Sequence, residues 1–221
     1  GNLADGQLIG GTGNIIVTQL SQADSLLGIT STGTKTTNVD ADLSFTGDFG
    51  TGFSINVAAD AELTLDASLA TAQSITGDGS VQVINLQDTT LIDLSGITAN
   101  SLSANISGTG DVVFQGASQF GSAAISVNNS GSSAFSTGVD FGTSSISVSA
   151  GSTLVLSTTQ VQALSANGTI VGAAASGSEA AANVYVNTGD VLSSTAAETA
   201  TATVKIEISG GFLTFDLPED G

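Results

Sequence analysis

The sequence predicts an all-β chain built from repeats: a β-solenoid of the parallel β-helix type that ends in a C-terminal β-hairpin. Three observations predict this fold: short runs in which apolar and polar residues alternate, an internal repeat of 21 residues, and a Gly-Gly pair between two alternating runs. Alternation gives a strand one buried face and one exposed face. Two β-sandwich domains with antiparallel strands are the alternative interpretation.

Strand patterns extend over most of the first 172 residues. Gly, Asn, Asp and Ser separate the runs at short intervals, as expected for turns between strands. The clearest runs are residues 14–18, 53–57, 63–65, 81–84, 125–127, 146–148 and 154–156.

The internal repeat is the strongest evidence for a solenoid. Two segments superpose residue for residue, with Phe114, Phe120, Ile125 and Val127 recurring 21 positions later as Phe135, Phe141, Ile146 and Val148. Periods of roughly 20–50 residues are typical of solenoids. A coil of this length stacks on the next, so we expect its Phe and Ile/Val positions to form ladders in the core rather than a ligand platform.

A longer repeat overlies the short one. Residues 11–20 resemble residues 77–86, and residues 57–65 resemble residues 148–156. Short helices are expected at 66–73 and 157–164, the second with a capping box formed by its Ser and Gln. We therefore assign residues 1–172 to a repeat-built β domain.

Residues 173–221 differ in pattern and are assigned to a C-terminal cap or strand-donating segment. An alternating run at 203–209 precedes Gly210-Gly211, and a second run follows at 212–217, which predicts a hairpin. Its apolar residues are the candidate assembly residues, because they could complete the sheet of a neighbouring subunit. They are Val204, Ile206, Ile208, Phe212 and Phe215.

Composition excludes several classes of function. The chain has 20 acidic and 2 basic residues, a net charge of −18, and no His or Cys. No His-based catalyst, thiolate nucleophile or His/Cys metal site can be built. A chain with so few cations is not expected to bind nucleic acid, and no apolar run approaches the roughly 18 residues of a membrane span. We expect the chain not to be an enzyme.

The two basic residues are Lys35 and Lys205. We expect both to lie at the surface in weak ion pairs. An isopeptide crosslink to Asn or Asp is the alternative.

Calcium is the cofactor that the acidic turns could bind, because Ca²⁺ takes carboxylate and carbonyl oxygens and turns supply both. The candidate metal ligands are Asp40, Asp42, Asp78 and Asp111. The alternative is that each Asp serves only its own turn and the solubility of the chain.

The chain resembles the repeat regions of large secreted bacterial surface proteins, namely adhesins, S-layer proteins and haemolysin-type repeat proteins. The segments that carry this resemblance are 77–83, 93–98, 106–114 and 154–164. The resemblance implies export, a location outside the cell or at its surface, and a role in adhesion or surface assembly. It supplies no catalytic residues.

These observations together predict a structural, self-assembling extracellular subunit of a surface filament, S-layer or biofilm matrix. Its main partner would be another copy of itself, joined by β-strand and end-to-end contacts. The alternative is an adhesin module that binds a glycan or a host surface through calcium-supported loops. Because residue 1 is Gly, we expect the chain to be a mature or excised fragment.

Overall fold

The chain folds as a β-solenoid of about 7 turns. The computed structural model describes residues 8–86, 91–114, 117–136, 138–167, 170–172, 182–187, 206–208 and 212–216. Strands account for 48% of the residues and helices for 6%, so strands form the coils and helices only connect them. The predicted all-β repeat solenoid is confirmed.

The chain divides into two compact units. Unit 1 comprises Gly1–Ile84 and Asp93–Ser103, and unit 2 comprises Asn85–Ile92 and Ala104–Gly221. Unit 1 holds β1 (Ile15–Val17), β2 (Lys35–Val39), β3 (Leu43–Phe45), β4 (Phe53–Val57), β5 (Glu62–Asp66), α1 (Ala67–Ala70) and β6 (Ser74–Ile84). β7 (Ile97–Ile106) has its first part in unit 1 and its last part in unit 2.

The other elements belong to unit 2. They are β8 (Val112–Phe114), β9 (Ala124–Val127), β10 (Ser132–Phe135), β11 (Ser145–Val148), β12 (Thr153–Ser157), α2 (Thr158–Asn167), β13 (Ile170–Gly172), β14 (Asn183–Asn187), β15 (Ile206–Ile208) and β16 (Phe212–Asp216).

Strands pair with the equivalent strands of the next coil. In unit 1 the order β1-β2-β4-β6 forms one row, and β3-β5-β6 forms a second, so that the long β6 pairs with β4 through its first half and with β5 through its second. In unit 2 the rows are β9-β11-β13-β15 and β8-β10-β12-β14-β16. Every strand pair resolved within these rows is parallel, which excludes the antiparallel β-sandwich alternative for the described residues.

The 21-residue repeat sets the register of β8 to β12 in unit 2. Phe114 pairs with Phe135, and the rings of these two residues stack with centroids 4.7 Å apart. The rings of Phe120 and Phe141 stack in the same way at 5.8 Å. The predicted Phe ladder is confirmed, and each described Phe side chain lies in the core.

The two helices begin where the sequence predicts. Asp66 caps α1 by accepting a hydrogen bond from the backbone N–H of Ser68 at 3.0 Å. At the start of α2, the N–H of Ser157 donates to Oε1 of Gln160 at 2.8 Å, and the N–H of Gln160 donates back to Oγ of Ser157 at 3.3 Å. The predicted capping box is therefore present.

The predicted C-terminal hairpin is wrong. β15 pairs in parallel with β13, whereas β16 pairs in parallel with β14, so the two strands lie in different rows and do not pair with each other. The intervening residues 209–211 lie outside the described residues. Two alternating runs around Gly-Gly fit a hairpin, but each run also fits a strand that adds in parallel to an earlier coil, and β15 and β16 pair in that way.

Candidate functional surfaces

The first coil of unit 1 leaves one edge of its sheet unpaired. Among the described residues, β1 pairs only with β2 and stands at the end of its row. Below this edge is a cavity of about 290 Å³ whose lining includes Ile9, Ile15, Leu26 and Ile29. In this lining Ile9 and Ile15 are partly exposed, whereas Leu26 and Ile29 are buried.

Apolar side chains are also exposed on the outside of this coil. Leu8 is 80% exposed, Ile16 is 65% exposed and Leu27 is 61% exposed. Ile16 pairs in register with Thr36, which is followed in the next coil by Ser54, so the apolar residue in this outward row lies at the sheet edge. We call β1, its cavity and these three side chains the β1 end.

A second depression lies beside β3 and is called the β3 groove. It has a volume of about 380 Å³ and is lined by residues 18–20 and 38–43. β3 pairs with β5 on one side, and residues 18–20 on the other side are not in strand conformation. Backbone hydrogen bonds to the first coil resume only further on, where the N–H of Thr46 donates to the carbonyl oxygen of Gln22 at 2.7 Å.

Two of the predicted calcium ligands join successive coils. Oδ1 of Asp42 accepts a hydrogen bond from the N–H of Glu62 at 2.9 Å, and Oδ1 of Asp111 accepts one from the N–H of Ser132 at 2.8 Å. Each Asp immediately precedes a strand, and each donor starts the strand that pairs with it. These carboxylates therefore satisfy backbone donors at the corners of the coils.

The other two candidates, Asp40 and Asp78, are exposed. Asp40 lies in the β3 groove with Asp42, whereas Asp78 lies in β6 and Asp111 lies in unit 2. Within the described residues, no group of three or more acidic side chains is placed to hold a metal ion. Calcium binding stays a prediction.

Further Asp residues act within their own turns. Asp48, Asp93 and Asp140 each accept a hydrogen bond at Oδ1 from the backbone N–H two residues later, at 2.7, 3.0 and 2.8 Å respectively. This arrangement is the Asx turn that short acidic side chains favour. These Asp residues thus stabilise the turns between strands and also contribute negative charge to the surface.

Lys35 was expected at the surface, and that expectation is wrong. It is only 8% exposed, at an inward position of β2 between Ile15 and Phe53. Nζ donates to the carbonyl oxygen of Thr51 and lies 5.4 Å from the centroid of the Phe53 ring. No ion pair of Lys35 occurs within the part of the chain that the structure describes. The strand alternation of 35–39 is the signal that could have placed it inward.

The candidate assembly residues occupy defined register positions. Ile206 pairs with Ile170 and Ile208 with Gly172 along the row of β13, while Phe212 pairs with Asn183 and Phe215 with Val186. Val204 and the second lysine, Lys205, lie outside the described residues.

None of the helices that the structure describes is long and apolar enough to cross a membrane. No family model, curated protein or solved structure matches the chain.

Proposed function

We propose that this chain is a structural, self-assembling extracellular subunit of a bacterial surface filament, S-layer or biofilm matrix. The observation that carries the proposal is the β1 end, where a strand edge without a partner among the described residues, a cavity and three exposed apolar side chains occur together. Such an edge binds another strand unless something covers it.

The partner that best fits the β1 end is the last coil of another copy. The strands of each row run in parallel, and among the described residues β1 and β15 are end strands that leave opposite hydrogen-bonding edges for a neighbouring copy. A joint between different surfaces of identical subunits propagates into a filament if the rotation does not close a ring. The exposed apolar side chains would be buried in that joint.

Charge should regulate this assembly. With a net charge of −18 and few cations, copies of the chain repel one another at low ionic strength. At 0.1 M salt, the repulsion between exposed charges more than about 10 Å apart is largely screened. Calcium bound at the acidic turns, including Asp40, Asp42, Asp78 and Asp111, would lower the repulsion further.

The test is assembly of the purified chain in 0.15 M salt, followed by sedimentation velocity and negative-stain electron microscopy, with calcium and with EDTA. We expect filaments or sheets, and we expect Ile16→Lys to raise the critical concentration more than tenfold by placing a charge in the joint. Ser54→Lys is the matched control, because Ser54 belongs to the same outward row two coils further in and is also exposed.

A chain that stays monomeric under all these conditions contradicts the proposal. So does an equal effect of the two Lys variants, since repulsion by an added charge anywhere on the surface would then explain both. Loss of filaments in EDTA, with the variants behaving as expected, would place calcium in the joint.

A second candidate function is an adhesin module that binds a neutral glycan. The observation in its favour is the outward face of β2, β4 and β6, where in-register side chains are hydroxyls and amides without charge. They are Thr36, Asn38, Ser54, Asn56, Ser74 and Thr76. A monomeric chain that binds immobilised neutral polysaccharide, and loses that binding on Asn56→Lys, would favour this function over assembly.

A further inference from the structure

The β3 groove is distinct from the β1 end in what it offers a ligand. β3 lacks a strand partner on the side that faces residues 18–20, and no backbone hydrogen bond joins Leu43–Phe45 to those residues within the described chain. The neighbouring bond from Asp48 N–H to the carbonyl oxygen of Asp24, at 3.1 Å, shows where normal coil-to-coil pairing resumes. The gap is therefore about one short strand in length.

The lining of the groove combines this free edge with negative charge. Asp40 and Asp42 both line it and both are exposed, and Asn38 adds an amide. One oxygen of Asp42 accepts the Glu62 N–H, which holds this carboxylate in place. The residues that line the groove include no cation, so its acidic side chains are not neutralised from within it.

We propose that the β3 groove is a docking site for an extended, cationic peptide segment of another protein. The segment would add one strand to the free edge of β3, with main-chain hydrogen bonds supplying affinity. Lys or Arg side chains on one face of the segment would meet Asp40 and Asp42. Apolar residues on its other face would lie against Leu20 and Leu43, which also line the groove.

A second copy of this chain does not supply such a segment. Its two cations are Lys35, which is buried in β2, and Lys205. A segment around Lys205 offers a single cation with acidic residues near it, whereas the groove presents the two carboxylates of Asp40 and Asp42. The proposal is therefore independent of the self-assembly proposed above, and its test can use a chain in which the β1 end has been blocked.

The probe is a fluorescein-labelled peptide, Val-Lys-Val-Lys-Val, titrated with the Ile16→Lys chain in 0.15 M salt and followed by fluorescence anisotropy. One comparison peptide replaces both Lys by Glu. A second carries N-methyl groups on the two Lys residues and on the Val between them, which removes main-chain donors from both edges while retaining both charges.

The protein variants separate the groove from the general charge of the surface. Asp40→Asn with Asp42→Asn removes two charges from the groove and keeps an acceptor for Glu62. Asp78→Asn with Asp111→Asn removes two charges elsewhere, and Asp111 makes the same kind of coil-to-coil bond as Asp42. The control therefore matches the test in both charge and local structure.

We expect saturable binding of the Lys peptide alone. The groove variant should weaken it roughly two- to fivefold for each carboxylate, while the control variant changes it less than twofold. N-methylation should weaken it at least tenfold. Absence of binding at millimolar protein, equal loss in both double variants, or indifference to N-methylation would each overturn the proposal.

Discussion

Unit 1 and unit 2 are built from the same kind of parallel coil but fill their cores differently. In unit 2 the offset between paired residues of β8, β10 and β12 is constant at 21 residues, and Phe lies on Phe. In unit 1 the offsets vary: Ile15 pairs with Lys35, 20 residues later, and Lys35 pairs with Phe53 after only 18. One row of the unit 1 core thus contains three unlike side chains.

The difference shows what a constant repeat length contributes. When coils have equal length, identical residues recur at the same height and ring stacks such as Phe120 on Phe141 form across coils. In unit 1 the aromatic pair of the described residues lies within one coil, between Phe45 and Phe49, whose centroids are 4.2 Å apart. Unit 2 therefore connects its coils through aromatic contacts that unit 1 lacks among the described residues.

The corners of the two units are nevertheless alike. In unit 1 the N–H of Thr34 donates to Oδ1 of Asn14 at 3.0 Å, and in unit 2 the N–H of Ser132 donates to Oδ1 of Asp111 at 2.8 Å. Both acceptors follow a Gly-Thr-Gly sequence whose first glycine has a φ near +120°, a value that favours glycine. The hydrogen bonds at a corner depend on the few residues of that corner, so they are retained where the core residues of the two units differ.

The largest expected effect comes from removing a shared aromatic ring. Phe120 contacts Phe114, Phe135 and Phe141, whereas Phe49 contacts Phe45 alone among aromatic residues of the described chain. Because both are fully buried, we expect Phe120→Ala to lower the free energy of unfolding by about 5 kcal/mol and Phe49→Ala by about 3 kcal/mol. Urea titrations monitored by circular dichroism measure both, and equal losses would refute the comparison.

A smaller effect is expected at Lys35, the unlike residue of the unit 1 core. Lys35→Met keeps the length of the side chain and removes a buried charge that has no ion pair in the described structure. We expect the free energy of unfolding to rise by about 1 kcal/mol, while Lys35→Ala, which leaves a cavity, should lower it by about 2 kcal/mol. Thermal and urea unfolding test this pair of variants. A loss on Lys35→Met would mean that the bond to Thr51 and the contact with Phe53 stabilise the unit.

The smallest effect concerns a polar atom within the regular coils of unit 2. Oγ of Ser144 is buried and has no hydrogen-bond partner among the residues that the structure describes, and the equivalent residue of the preceding coil is Ala123, which is also buried. Ser144→Ala should therefore raise the free energy of unfolding by about 1 kcal/mol, and Ala123→Ser should lower it by a similar amount. Denaturant unfolding of the two variants measures this, and a loss on Ser144→Ala would indicate a partner such as a buried water.

The coils of unit 2 that contain β8 to β12 could be predicted from the sequence because their repeat is regular. Phe114 and Phe135 could be paired by counting residues, and the capping box of Ser157 and Gln160 is a local pattern that needs no tertiary information. The predicted hairpin failed for the opposite reason. The partner of a strand is chosen by which edges are open, and this depends on strands 29 to 36 residues earlier in the chain.

The candidate surfaces were harder to predict. The sequence identifies Asp40 and Asp42 as acidic turn residues, but the gap beside β3 arises because residues 18–20 do not form a strand. The sequence-based expectation for Lys35 was wrong because it followed the charge of the side chain and not its inward position in an alternating strand. Nothing in the local pattern around Ile16 marks it as a residue at a sheet edge.

The sequence by itself determined the strands, the repeat, the corner residues and the strongly acidic character of this protein, since these depend on local alternation, spacing and composition. Only the tertiary structure decided which strands pair, which carboxylates join coils and which edges stay open. The physical reason is that a parallel coil satisfies its backbone through residues some 20 positions away. Pairing is therefore a property of the stack, and the exposed edges follow from where the pairing stops.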